Sequence, residues 1–200
     1  MFDLVSLIQT AGYIGLFGII FVESGILLGF FLPGDSLLFT AGFLASQGYL
    51  RIELLLPTFF LAAFTGDAAG YWFGRKVGPK IFSRPESFWF RPENVEKTRN
   101  FFEKHGKKAI VLARFMPIIR TFVPVMAGVG GMKYQVFTFY NFFGAVIWAV
   151  GLTTAGYLFG HSIPNADRYI LPIVGLIIIV SLIPPGFELI KGRRKKKAGC

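Results

Sequence analysis

Six long apolar stretches organise the chain: Ala11–Leu32, Ser36–Leu50, Leu54–Gly74, Ala109–Gly131, Tyr134–Gly160 and Tyr169–Leu189. A helix needs about 20 apolar residues to cross the hydrocarbon core of a bilayer. Leu54–Gly74, Tyr134–Gly160 and Tyr169–Leu189 meet that length, whereas Ser36–Leu50 is short. Ala11–Leu32 and Ser36–Leu50 are joined by Leu32-Pro33-Gly34-Asp35-Ser36, a turn-forming run between apolar segments, which predicts a hairpin over 11–50. Ala109–Gly131 contains Arg114 and Arg120 and is interrupted by Pro117, Pro124 and glycines 128, 130 and 131. Proline removes a helix donor and clashes with the preceding turn, and a membrane tolerates such breaks only where protein or a watery cavity covers them. A second, re-entrant hairpin over 109–133 follows.

Charge placement supports the same layout. Of the 21 Lys and Arg, ten lie between Arg75 and Lys108 and six between Lys191 and Lys197. Basic clusters flanking apolar spans read as cytoplasmic anchors facing anionic headgroups, so the net charge of +10 does not point to nucleic acid. With loop 75–108 and tail 191–200 both cytoplasmic, an even number of crossings must separate them. Three apolar stretches lie between, so one turns back, and 109–133 is the one with the breaks. The expected order is an interfacial segment 1–10, a single transmembrane domain 11–190 and a basic tail 191–200. Within the domain come hairpin 11–50, span 54–74, loop 75–108, hairpin 109–133 and spans 134–160 and 169–190. The first Lys or Arg is Arg51, so the expectation is no cleaved signal peptide.

Composition closes off the soluble alternative. Residues of the apolar set make up 54% of 200 and charged residues 16%, far from the balance of a soluble domain, whose interior at this size could not hide so much apolar surface. One Cys excludes a disulfide framework or a cysteine-rich metal site.

The chain also repeats itself. Ala69-Gly70-Tyr71-Trp72-Phe73-Gly74 recurs as Ala155-Gly156-Tyr157-Leu158-Phe159-Gly160, at an offset of 86 residues. Glu23 precedes Pro33 as Arg114 precedes Pro124, so each half reads as a broken hairpin followed by a span ending in the same motif. By the crossing count the two motifs end on opposite sides. The expected fold is therefore an all-α membrane protein, an inverted repeat of two re-entrant helical hairpins plus transmembrane helices, an architecture shared by many secondary transporters.

Ionisable groups in a bilayer cost roughly 2.5–3.5 kcal/mol each on insertion scales and mark functional sites by default. Here they are Glu23, Asp35 and Asp67 in the first half and Arg114 and Arg120 in the second. Guanidinium stays charged and forks onto phosphate, so Arg114 and Arg120 are candidate ligands of a phosphate headgroup. A carboxyl in an apolar cavity can load and release a proton, which makes Glu23 and Asp35 candidates for proton coupling or, more plainly, counter-ions of the arginines. Pro33, Gly34, Gly66, Asp67, Pro117 and Pro124 support the site by shaping the backbone or, for Asp67, by pairing. His105 and His161 both fall outside the spans, and with no metal-ligand cluster or nucleophile–base pair legible, the expectation is a protein without catalytic residues, metal or cofactor.

Phe21-Val22-Glu23-Ser24, Phe31-Leu32-Pro33-Gly34-Asp35-Ser36, Gly66-Asp67 through Tyr71-Trp72-Phe73-Gly74-Arg75, and Arg114-Phe115-Met116-Pro117 with Arg120-Thr121 and Pro124 resemble, in combination and order, the DedA family with its VTT (SNARE-associated) domain. The resemblance implies two facing re-entrant hairpins, functional acids at Glu23 and Asp35, and functional arginines at Arg114 and Arg120. It also implies a bacterial cytoplasmic (inner) membrane protein linked to lipid translocation. The leading expectation is a proton-coupled flippase for a phosphate-bearing lipid, with undecaprenyl phosphate the first candidate; its partners would be membrane lipids and protons. The alternatives are a proton-coupled antiporter of small cations or drugs and a non-selective phospholipid scramblase.

Overall fold

A computed structural model describes residues 4–25, 34–81 and 106–162. Every regular element among them is helical: α1 (Leu4–Gly25), α2 (Gly34–Ser46), α3 (Ile52–Ile81), α4 (Ala109–Leu112), α5 (Pro117–Val129), α6 (Tyr134–Ala145) and α7 (Gly151–His161). A π-helical turn, Val146–Val150, joins α6 and α7 into one rod. Ile52–Val77 and Tyr134–His161, with 26 and 28 residues, are long and apolar enough to cross a membrane. At 1.5 Å per residue they reach about 39 and 42 Å, beyond the ~30 Å hydrocarbon core. The predicted spans 54–74 and 134–160 are thus single helices of crossing length.

Span 169–190, tail 191–200, residues 82–105 of the basic loop with His105, and residues 26–33 of the first hairpin with Pro33 lie outside the described residues. At the other end, α1 starts at Leu4 and runs without a break past residue 10, where the sequence suggested a change from interfacial segment to hairpin.

The chain divides into two compact units, Met1–Leu32 with Glu53–Gly151, and Pro33–Ile52 with Leu152–Cys200. In the first, the break anticipated in 109–133 has a local cause. A residue before proline is pushed out of the α region, and Met116, ahead of Pro117, is extended at φ −121°, ψ 104°. The helical turn Ala113–Phe115 stops there and α5 restarts, its first backbone bond running from Arg120 N–H to the Met116 carbonyl at 2.9 Å. Arg114 and Arg120 therefore flank the break. α5 ends where Gly131 takes φ +68°, a conformation open to glycine, with Met132 N–H reaching back to the Ala127 carbonyl at 3.0 Å. The buried Tyr71 hydroxyl donates to the Met132 carbonyl and accepts from Arg75 at 2.9 Å, tying α3 to this turn. Around it pack Ile110, Ala113, Val123, Ala127 and Phe137.

Small residues set how closely these helices cross. A Cβ at Gly25 would stand 2.6 Å from the Gly66 carbonyl oxygen, and one at Gly66 would stand 2.7 Å from that of Phe21, so α1 and α3 touch backbone to backbone. A Cβ at Gly128 would overlap the Tyr71 carbonyl and stand 2.8 Å from Arg75 N. In the second unit α2 lies on α7 in the same way. A Cβ at Gly42 would stand 3.1 Å from Tyr157 N, and one at Gly156 would stand 3.0 Å from Phe39 Cα. Gln47 Nε2 donates to the Gly160 carbonyl at 3.1 Å.

These two crossings correspond. Ala41-Gly42 and Ala127-Gly128 are separated by the same 86 residues as the two AGYxFG motifs. In each unit the helix bearing Ala-Gly crosses the helix bearing AGYxFG, α5 on α3 and α2 on α7. The registers differ by one helical turn: Gly128 faces Tyr71 and Arg75, while Gly42 faces Thr153 and Tyr157, the counterparts of residues 67 and 71.

Gly128→Ala is expected to lower the unfolding free energy by about 1–3 kcal/mol, because its methyl group meets backbone that cannot swing aside. Thermal denaturation in detergent measures it. Gly151→Ala, where a Cβ meets nothing within 4 Å, is the matched control and should not be destabilised.

Candidate functional site

Four ionisable side chains are withdrawn from solvent inside the first unit. Arg120 Nη2 donates to Glu23 Oε1, with the two side chains 8% and 0% exposed, and Arg114 Nη2 donates to Asp67 Oδ2, with 4% and 7% exposed. The elements deliver them from different directions: α1 carries Glu23, α3 carries Asp67, and the two sides of the Met116 break carry the arginines. Charge removed from water is costly unless it is paired and its remaining hydrogen bonds are made. Two carboxylates against two guanidiniums make this set formally neutral.

Three further residues complete the surroundings of Arg114, all on one face of the α6 rod. Asn141 Oδ1 accepts from Arg114 Nη2 at 2.6 Å, and Asn141 Nδ2 donates to the Phe64 carbonyl of α3 at 3.0 Å. Gly144 leaves room for the side chain: a Cβ there would stand 2.7 Å from Arg114 Nε and 2.9 Å from Cδ. One turn on, the Trp148 indole, 2% exposed, lies within cation–π range of both arginines, its centroid 5.8 Å from Arg114 Cζ and 4.7 Å from Arg120 Cζ.

The structure thus brings together Glu23, Asp67, Arg114 and Arg120. Asp67, expected only in support, is the partner of Arg114. Asp35 belongs to the second unit, exposed in the first turn of α2 next to buried Gly34. Gly66 serves as a helix contact, Pro117 opens α5 and Pro124 lies inside it.

Asn141, Gly144 and Trp148 were not singled out by the sequence reasoning. A signal existed, since an amide in an apolar span needs a partner and the three share a helical face by spacing. Asn141→Leu should cost about 1–3 kcal/mol, because it strips Arg114 of a buried hydrogen bond and the Phe64 carbonyl of a partly buried one. The midpoint of thermal unfolding, compared with an exposed-site variant such as Phe139→Leu, reads the loss.

A VTT-domain sequence profile matches residues 32–158. The chain is similar to the protein DedA of Escherichia coli K12, with 47% identity over 184 residues, covering 91% of this chain and 84% of that protein. It is similar to a membrane protein of Mycobacterium tuberculosis H37Rv, with 44% identity covering 85% and 75% of the two chains. It also resembles the inner membrane protein YqjA of Escherichia coli K12, with 34% identity covering 75% and 68%. No solved structure matches it.

Proposed function

We propose that this chain, which belongs to the DedA family of VTT-domain membrane proteins, is a proton-coupled translocase that carries a phosphate-bearing lipid between the leaflets of the bacterial inner membrane. Undecaprenyl phosphate returning from the outer leaflet is the first candidate cargo. The observation that carries the proposal is the pair of buried arginines on either side of one helix break, both against the same indole. In that setting each guanidinium retains its charge and offers a donor fork whose natural ligands are carboxylate and phosphate. The carboxylates now in those forks are what a phosphate would displace.

Charge balance supplies the coupling. The four buried groups sum to zero, so a bound phosphate monoanion adds one uncompensated negative charge to a low-dielectric interior. Protonation of a displaced carboxylate cancels it. Glu23, wholly buried and released by Arg120, takes that proton in this reading. Asp35 keeps the second proton-carrying role that the family resemblance implies. Lipid and proton then travel together, and release at the cytoplasmic leaflet returns each arginine to its acid. Two hairpins in inverted repeat would expose such a site alternately to either side. The repeated crossing of an Ala-Gly helix on an AGYxFG helix supports that arrangement.

Arg120→Ala should abolish the activity while the protein is still made and inserted. Outer-leaflet polyprenyl phosphate, labelled on intact cells, should rise to the level of cells lacking the protein; a wild-type level would sink the proposal.

A second reading, a proton-coupled antiporter of small cations or drugs, is favoured by one feature: both arginines are already neutralised, as structural partners of an acidic ion site would be. It requires substrate-induced proton flux in vesicles free of polyprenyl phosphate.

A further inference from the structure

We propose that Trp148 is a positioning residue that holds Arg114 and Arg120 together when phosphate takes them from their acids; the inference rests on the lipid-phosphate reading above. Three observations converge on it. First, Trp148 lies at the centre of Val146–Val150, a π-helical turn inside an otherwise regular rod. Such turns are rare, and inside α-helices they are frequently found at functional sites. Second, its indole is shared by two guanidinium groups, at 5.8 and 4.7 Å, on the two sides of the Met116 break. Third, the same helical face clears a path to it: Asn141 anchors one end of the Arg114 guanidinium, and Gly144 carries no side chain where Arg114 passes.

The chemistry explains why an indole belongs there. Two like charges near each other repel, and in the ground state Asp67 and Glu23 offset that repulsion. Once a phosphate displaces a carboxylate, the arginine loses the group that fixed its position. The indole face is a fixed, negative-faced wall that attracts cations yet cannot compete with the phosphate for the guanidinium N–H groups, since it accepts no fork hydrogen bond. It also excludes water from the guanidinium faces, which strengthens their bonds to phosphate. Trp148 therefore stores the two forks at a spacing one phosphate can draw on, without being a ligand itself.

The test compares Trp148→Leu and Trp148→Phe with wild type in phosphatidylcholine vesicles, using short-chain polyprenyl phosphate as the probe and polyprenol as the phosphate-free control. Inserted amounts are equalised, and leaflet exchange is followed against lipid concentration. Trp148→Leu should raise the half-saturating concentration about tenfold or more while the maximal rate changes far less. Trp148→Phe, which keeps an aromatic face, should restore most of the loss. A parallel readout uses Trp148 as sole tryptophan, in a W72F/W89F background. Its emission should change on adding polyprenyl phosphate and not on adding polyprenol.

Wild-type exchange with an unchanged half-saturating concentration in Trp148→Leu would overturn the positioning role and leave the translocase reading standing. So would a loss seen only in the maximal rate, equally in both variants, because that is the mark of a packing residue. A wild-type protein that neither binds nor moves polyprenyl phosphate would overturn the translocase reading and this inference with it.

Discussion

Replacing Glu23 with alanine should collapse the stability of the inserted protein, and replacing Arg120 with alanine in the same chain should return most of it. Arg120 and Glu23 form an ion pair at 8% and 0% exposure, so the single substitution leaves a guanidinium without its counter-charge in a site that water does not reach. Breaking a buried pair from one side costs about 3–5 kcal/mol, whereas removing both partners costs far less. Chemical denaturation in mixed micelles should show this gap between single and double variants. The double variant should nevertheless move no lipid, since it lacks the fork of Arg120. Equal stability of single and double variants would mean that this pair is not closed in the inserted protein.

Glu23→Gln should separate binding from coupling. The amide oxygen can still accept from Arg120, so the packing is kept, but the buried set now carries one net positive charge. A phosphate monoanion neutralises that charge without any proton. Polyprenyl phosphate should therefore bind about tenfold more tightly or better, worth roughly 1.4 kcal/mol or more, visible as a larger lipid-induced rise in unfolding temperature than in wild type. Release should become slow, and exchange should lose its response to a pH gradient. Wild-type acceleration by the gradient in this variant would remove Glu23 from the coupling step.

Much of this was legible in the sequence, for reasons that differ by element. The spans 54–74 and 134–160 declared themselves because nothing but a bilayer or a deep core accepts so long an apolar run, and both are helices. The break in 109–133 was legible because Pro117 dictates the backbone of Met116, a rule that needs no tertiary information. Buried charge was legible too, and so was pairing of acids with arginines, but not which acid each arginine takes. Sequence could place Asp67 in a small-residue stretch. It could not reveal that this stretch brings α3 close enough to the break for Asp67 to claim Arg114. Trp148 was hidden more deeply, because no residue pattern in Ala145–Gly151 announces a π turn or the two guanidinium groups that meet its indole. Asp35, grouped with the other acids by its place in Pro33-Gly34-Asp35, sits exposed in the first turn of α2, where the helix dipole favours a carboxylate.

The most direct measurement is leaflet exchange in reconstituted vesicles, comparing short-chain polyprenyl phosphate with ordinary phospholipid, with and without a pH gradient. Arg114 and Arg120 acting as phosphate forks, coupled through a buried acid, predict fast exchange of polyprenyl phosphate, faster still with protons entering alongside it, and lost in Arg120→Ala. Equal movement of every lipid would contradict the selective carrier and make the protein a scramblase. Proton flux on adding a small cation, with no lipid moved at all, would contradict lipid transport altogether and give the buried acids to an antiporter.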